Sequence, residues 1–303
     1  MKTPLFEGVC TALVTPFNES GVDSRMLETL IERQIAAGVP AIVIAGTTGE
    51  SATLAHAERL ALFACAVKIA AGRCKILAGT GTNNTQTSVE LSTAAEKTGV
   101  DGLLCVTPYY NKCTQEGLIR HFTAIADAVS LPVILYNVPS RTTVSLAPQT
   151  CAELAAHPRI IGLKEADPDA AKLFRIRNLC GDALPVYSGN DDRIVPFYAA
   201  GAVGVISVLS NVCPEAAVAL TKLCAAGRYK EAAALQADCL PLIDALFETV
   251  NPIPVKAAMR LIGLDCGDCR LPLTACPPDL EERLHALLTA RKSPRKLDSF
   301  IES

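Results

Sequence analysis

Tryptophan is absent from this 303-residue chain, and aromatic residues make up only 5% of it. Proteins that grip single-stranded nucleic acid stack bases on aromatic side chains, so that class is disfavoured. Neither sign of charge is in marked excess: 28 basic against 31 acidic residues leave a net charge of −3. Nothing there draws in a polyanion. Histidine is scarce, at four residues: His56, His121, His157 and His285. None closes an apolar run. That argues against a metal centre built from strand-end imidazoles, and against a Ser–His–Asp hydrolase. No apolar stretch is long enough for a membrane-spanning helix, which needs about 18 residues or more. The opening MKTPLFEGVC has Pro4, Glu7 and Gly8 where a signal peptide needs an apolar segment. A cytoplasmic location is the expectation.

Cysteine, by contrast, is plentiful at thirteen residues. An odd count in a cytosolic chain points to reduced, small core fillers rather than a disulfide framework. Cys266 and Cys269 in CGDC, with Cys276 nearby, form one CxxC without a second pair. They are expected to be reduced thiols in a surface loop, not a metal or redox site.

Half of the residues are hydrophobic, enough for a large core. Short β-branched runs recur: VCTALVTPF from Val9, PAIVIAG from Pro40, KILAGTG from Lys75 and GLLCVTPYY from Gly102. PVILYNVPSRT from Pro132, RIIGLKEA from Arg159, LPVYSGN from Leu184 and VGVISVLSN from Val203 continue the series. Several are apolar throughout, as strands covered on both faces are. Between them, residues 24–38, 55–72, 84–99 and 114–129 have helical spacing, the first two ending in Gly38 and Gly72. Eight strand-like runs alternating with helices predict an α/β fold, a (β/α)8 TIM barrel. An open doubly wound sheet is the alternative, but GTGTNN at 79–84 lacks the third glycine of a dinucleotide fingerprint. After about Ala226 three helical segments follow and no strand. The expected division is a catalytic barrel over 1–226 and a C-terminal three-helix appendage over 227–303, ending in a basic, solvated tail.

In such a barrel, chemistry sits at the C-terminal strand ends. Those ends carry hydroxyls: Thr15, Thr47, Thr48, Thr80, Thr107, Tyr109, Tyr110, Tyr136, Ser188, Ser207 and Ser210. Asn83 and Asn190 lie among them, with one guanidinium, Arg141, and one amine, Lys164. Lys164 closes the apolar run RIIGL and stands out, because lysine is rarely buried unless paired or used. Alone it reads as a solvated strand end. Together with its neighbours it reads as a nucleophile: held out of water, an amine is favoured over its ammonium and can attack a ketone to form an imine. A tyrosine can relay protons, threonines and the backbone of GTTGE can hold a carboxylate, and an arginine can grip another. Glu165, next in the strand, faces the opposite side and is assigned to structure.

GTTGES (46–51), TPYYNKCTQEG (107–117), YNVPSRT (136–142), GLKEA (162–166), YSGND (187–191) and NPIPVKAA (251–258) stand in order along nearly the whole chain. In these motifs the sequence resembles the dihydrodipicolinate synthases, pyruvate-dependent Schiff-base lyases akin to N-acetylneuraminate lyase. The resemblance implies that Lys164 forms an imine with pyruvate and that Tyr136 shuttles protons. It implies that Thr47 links Tyr136 to Tyr110, and that Tyr110 reaches in from a neighbouring subunit. Thr48 would hold the pyruvate carboxylate, with Ile206 packed beside it and Gly189 lining the site. Arg141 would meet the carboxylate of the second substrate, L-aspartate 4-semialdehyde, in lysine and diaminopimelate biosynthesis. No metal or organic cofactor is implied; a homotetramer is.

The resemblance also implies a lysine-binding allosteric cleft matched by Ser51, Ala52, Leu54, His56, Asn83 and Tyr109. There Arg59 replaces a histidine and Thr87 replaces a glutamate, so weak or absent inhibition by lysine is expected. Cys113 stands where the family usually has proline. The rival readings are a lyase for 2-keto-3-deoxy sugar acids or N-acetylneuraminate, and a non-catalytic sensing barrel. Arg141 and the paired threonines of GTTGE favour the synthase over the first, and the nucleophilic amine argues against the second.

Overall fold

The eight apolar runs form the staves of one closed barrel in the computed structural model, which describes residues 2–291. In chain order the strands are β1 (Gly8–Ala12), the short hairpin β2 (Phe17–Asn18) and β3 (Gly21–Val22), β4 (Ala41–Ile44), β5 (Lys75–Gly79) and β6 (Gly102–Val106). They continue with β7 (Val133–Asn137), β8 (Ile160–Glu165), β9 (Val186–Ser188) and β10 (Gly204–Ser207). The barrel runs β1-β10-β9-β8-β7-β6-β5-β4 and closes on itself with parallel pairings throughout. Closure rules out the open doubly wound sheet.

The four expected helices are α1 (Ser24–Ala36), α2 (His56–Ala70), α3 (Thr85–Glu96) and α4 (Gln115–Asp127). Around the second half lie α5 (Pro139–Thr142), α6 (Pro148–Ala155), α7 (Ala170–Cys180), α8 (Ile194–Ala199) and α9 (Pro214–Ala225). Then come α10 (Tyr229–Phe247), α11 (Ile253–Leu261) and α12 (Pro278–Arg291). α10 packs on α8 and α9, and α12 on α10 and α11. Their buried Leu235, Leu242, Leu246 and Leu284 join the apolar layer between strands and helices. Of the basic terminal stretch, residues 292–303 lie outside the described residues.

Strand alternation sends the other half of the side chains inward. Cys10, Ala12, Val43, Leu77, Ile134 and Ile206 belong to this separate interior cluster. Its floor is aromatic: Phe6 stacks on Tyr187 with ring centroids 4.4 Å apart, and the Tyr187 hydroxyl donates to the Phe6 carbonyl at 2.9 Å. Gly162 faces this floor, and a Cβ there would stand 3.0 Å from the Tyr187 ring. The glycine in RIIGLKEA thus makes room for the tyrosine that seals the barrel below the amine.

Alternation also sends Glu165 outward. Its Oε1 accepts from Asn137 Nδ2 and from the Asp167 N–H, both at 2.7 Å, and Lys172 Nζ lies 3.3 Å from Oε2. All thirteen cysteines are free thiols. One expectation about them is corrected: Cys266 is not in a surface position but buried, its thiol pushed up to about 12 chiefly by desolvation. It packs in the core that the 264–267 turn makes with the β2–β3 hairpin, where the Phe17 N–H donates to the Cys266 carbonyl at 2.9 Å.

Candidate active site

β7 and β8 are register partners, with Tyr136 opposite Lys164 and Asn137 opposite Glu165. Pairing one inward residue with another puts Tyr136 and Lys164 side by side in the barrel interior. The lysine Nζ lies 4.1 Å from the centroid of the tyrosine ring. Lys164 is only 5% exposed and Tyr136 7%. No carboxylate forms an ion pair with Lys164 among the described residues. The solvated strand end is therefore excluded for this lysine.

Asp191 is the buried acid of this region. Its Oδ2 accepts from the Val208 and Leu209 N–H groups at 2.8 and 2.9 Å, while its Oδ1 has no acceptor role filled. Burial pushes its carboxyl above the ordinary range, against opposing pulls from Ser207, those two N–H groups and Lys164. The same burial holds the Cys10 thiol, inside the barrel on β1, far above its ordinary value, although Lys164 pulls it down.

The turn after β4 supplies Thr47 and Thr48. Inside it the Glu50 N–H donates to the Thr47 carbonyl at 3.1 Å and the Ser51 N–H to the Gly46 carbonyl at 3.2 Å. The N–H groups of Thr47 and Thr48 find no acceptor within the described residues, which suits a turn that receives an anion. Thr48 is buried, and its hydroxyl accepts from Asn251 Nδ2 at 2.9 Å. Asn251 also offers its carbonyl to Arg141 Nη2 at 3.5 Å. Thr47, Val138, Arg141 and Asn251 line a cavity of about 340 Å³ at the mouth. Val138 also belongs to the interior cluster with Tyr136 and Ile206, so the cavity adjoins the lysine site. Gly189 hugs β8: its N–H donates to the Glu165 carbonyl at 2.8 Å, and a Cβ would come within 2.7 Å of the Ala166 side chain.

Lys164, Tyr136, Thr48, Ile206, Gly189, Thr47 and Arg141 therefore gather at one barrel mouth. Tyr110 does not join them within the single chain. It is 90% exposed, with a left-handed φ of 75°, and no hydrogen bond links it or Tyr136 to Thr47 among the described residues. Of the residues matched to an allosteric cleft, Ser51, Ala52, Arg59 and Tyr109 line the mouth cavity. Leu54 is buried, Asn83 half-buried, and His56 and Thr87 exposed.

Three residues were not assigned roles from sequence. Asn251 lies far away in the chain, and its only signal was the NPIP motif. Glu50 and Lys256 form a buried ion pair of 2.7 Å, with Lys256 Nζ 4.4 Å from the Phe17 ring centroid. The Arg270 N–H donates to the same carboxylate at 2.8 Å. This ties α11 and the 270 loop to the turn that carries Thr47 and Thr48.

A closed parallel barrel with a buried amine against a tyrosine ring, and a threonine-rich turn at the mouth, defines an enzyme of the Schiff-base lyase class. Comparison with known proteins narrows the class. The chain belongs to the dihydrodipicolinate synthetase family, whose model matches residues 5–291. It is 49% identical over 270 residues to the 4-hydroxy-tetrahydrodipicolinate synthase of Exiguobacterium sibiricum, covering 89% of this chain and 92% of that one. The dihydrodipicolinate synthase structure from Thermotoga maritima superposes with a TM-score of 0.93 at 41% identity, over 95% of this chain and 99% of the other. The Acinetobacter baumannii enzyme, complexed with pyruvate, does so at 0.91 and 41%, over 93% and 98%.

Proposed function

We propose that the chain is a 4-hydroxy-tetrahydrodipicolinate synthase that condenses pyruvate with L-aspartate 4-semialdehyde. The observation that carries the reading is the buried amine of Lys164, against the Tyr136 ring and without an ion pair among the described residues. The amine attacks the pyruvate ketone, and loss of one water leaves the imine. Loss of a C3 proton turns the imine into an enamine, whose carbon attacks the aldehyde. The amine of the second substrate then adds to the imine carbon, closing the ring and freeing Lys164. Tyr136 carries protons through these steps, with Thr47 and Tyr110 as its relay. Thr48 and the free N–H groups of its turn hold the pyruvate carboxylate, and Ile206 and Gly189 shape the pocket. Arg141 takes the carboxylate of the second substrate, and this favours the short acid over a sugar aldehyde. The chemistry uses no metal or organic cofactor.

Tyr110 supports a homotetramer built from dimers: it is exposed and reaches no site residue of its own chain. The exposed Phe174 and Leu179 on α7 offer further apolar area for assembly. Arg59 and Thr87 support weak or absent inhibition by lysine, since the guanidinium repels an ammonium and no carboxylate replaces the missing partner. Half-inhibition at submillimolar lysine would contradict this.

Borohydride reduction with pyruvate, followed by peptide mass mapping, tests the chemistry. A stable adduct on Lys164 is expected. An adduct on Lys75 or Lys256 instead, or none, overturns the reading.

A further inference from the structure

β7 and β8 do not pair in one continuous register. Val133 is opposite Ile160, but Ile134 is opposite Gly162, so Ile161 is an extra residue that makes a β-bulge in β8. Beyond the bulge Tyr136 stands opposite Lys164 and Asn137 opposite Glu165. Bulges occur beside active sites, where they re-aim a side chain. Without this one, Leu163 would oppose Tyr136 and Lys164 would oppose Asn137. A slip of one residue moves a side chain to the other face of the sheet, so the amine would leave the barrel interior. A backbone ladder is satisfied in either register, and the side chains must choose between them.

The outer face of the same strand ends carries that choice. Asn137 Nδ2 donates to Glu165 Oε1 at 2.7 Å, with both side chains buried. The bond needs the two side chains level and on one face, as the bulged register places them. Their other polar atoms are committed to the loops above. Asn137 Oδ1 accepts from the Leu146 N–H at 2.9 Å, its carbonyl from the Ala166 N–H at 2.9 Å, and Glu165 Oε1 also from the Asp167 N–H at 2.7 Å. Lys172 Nζ lies 3.3 Å from Glu165 Oε2 and 3.0 Å from Asp167 Oδ2, and donates to Ser145 Oγ at 2.7 Å. Burial pushes the Glu165 carboxyl above its ordinary range, and the Lys172 ammonium leads the groups that oppose it.

We propose that Asn137 and Glu165 are positioning residues for the reaction: their hydrogen bond on the outside of the barrel selects the bulged register that turns Lys164 and Tyr136 inward. Neither side chain reaches the substrate. The inference rests on the reading of Lys164 as the amine that forms the imine. Lys172 has a different task, compensating a buried charge without taking part in the register bond.

The test is the rate at which the Lys164 adduct forms. Pyruvate is added to the whole enzyme, borohydride quenches samples at set times, and urea unfolding is measured for each variant. Glu165→Ala removes the acceptor and should slow adduct formation about ten- to a hundredfold, as misplacing a reacting group by about 1 Å does. Glu165→Gln keeps an oxygen for Asn137 and for the Asp167 N–H, and should restore most of the rate. Lys172→Met leaves the Asn137–Glu165 bond but strands a buried carboxylate, so stability should fall while the rate stays near that of the parent chain. A merely structural cluster would not separate the two: a rate that falls in step with stability in both Glu165→Ala and Lys172→Met overturns the inference. A parental rate in Glu165→Ala, or no recovery in Glu165→Gln, also overturns it. Should Glu165→Ala not fold, Asn137→Ala decides, because it deletes the donor of the same bond: slower adduct formation supports the inference and an unchanged rate overturns it. No Lys164 adduct in the parent chain is a distinct result, which overturns the imine reading and this inference with it.

Discussion

Lys164 and Tyr136 are register partners on adjacent parallel strands, with the amine 4.1 Å from the centre of the ring. A ring face attracts a cation but accepts no proton. The contact therefore holds the amine in place without an ion pair to a carboxylate among the described residues. The ring also walls the amine from water on one side.

The two residues should separate by experiment. Lys164→Met removes the nucleophile, so the borohydride adduct disappears and turnover falls by at least ~10³-fold. Tyr136→Phe keeps the ring and so keeps the adduct, but loses proton transfer, and kcat drops about 10²–10⁴-fold. Unchanged kcat in Tyr136→Phe would take the hydroxyl out of the proton path.

Asn251 holds Thr48 through its side chain and Arg141 through its backbone. Asn251→Ala removes only the first. With one hydrogen bond of about 1 kcal/mol lost, KM for pyruvate should rise roughly fivefold while KM for the aldehyde changes little. Steady-state kinetics with each substrate varied in turn would show the split. Equal changes in both constants would mean that the residue acts on the fold rather than on Thr48.

The Glu50–Lys256 pair is almost fully buried. Lys256→Met strands a buried carboxylate and should cost about 3–5 kcal/mol in urea denaturation. The double variant Glu50→Gln, Lys256→Met should be less destabilised than Lys256→Met alone, because no charge is left unpaired. The reverse order would show that the pair itself, and not the stranded charge, dominates.

His121 makes stability fall in acid. It is 4% exposed, its Nδ1 meets the Thr85 hydroxyl at 2.9 Å and its Nε2 has no hydrogen-bond partner among the described residues. Burial lowers its pKa from 6.5 to about 4. Between these values the unfolded chain binds the proton more readily, so the contribution is complete above pH 6.5 and is lost as pH falls towards 4. At ~1.4 kcal/mol per pKa unit the loss from this group approaches ~3 kcal/mol. Urea unfolding at pH 7 and 4.5 should show a smaller drop for His121→Leu than for the parent chain. An equal drop would place the acid sensitivity elsewhere.

Much of the architecture was determined by short-range pattern. The alternation of apolar β-branched runs with helical spacing dictates a βα repeat, and eight repeats suit a closed barrel. The period of two along β8 decided that Lys164 and Glu165 face opposite ways, because neighbouring side chains in a strand must. The amine could be singled out for the same reason: a strand buried on both faces gives an inward lysine no water. What only the tertiary structure decided are the contacts that loops make across the mouth. Asn251 reaches Thr48 over 203 positions of sequence, and Lys256 reaches Glu50 from a helix beyond the last strand. Cys266 looked like part of an exposed loop, because CGDC is short, polar and flanked by turns, yet it is buried against the β2–β3 hairpin. Local periodicity carries no information about which distant loops meet. Those meetings follow from the closure of the barrel, which brings the ends of all eight strands around one opening.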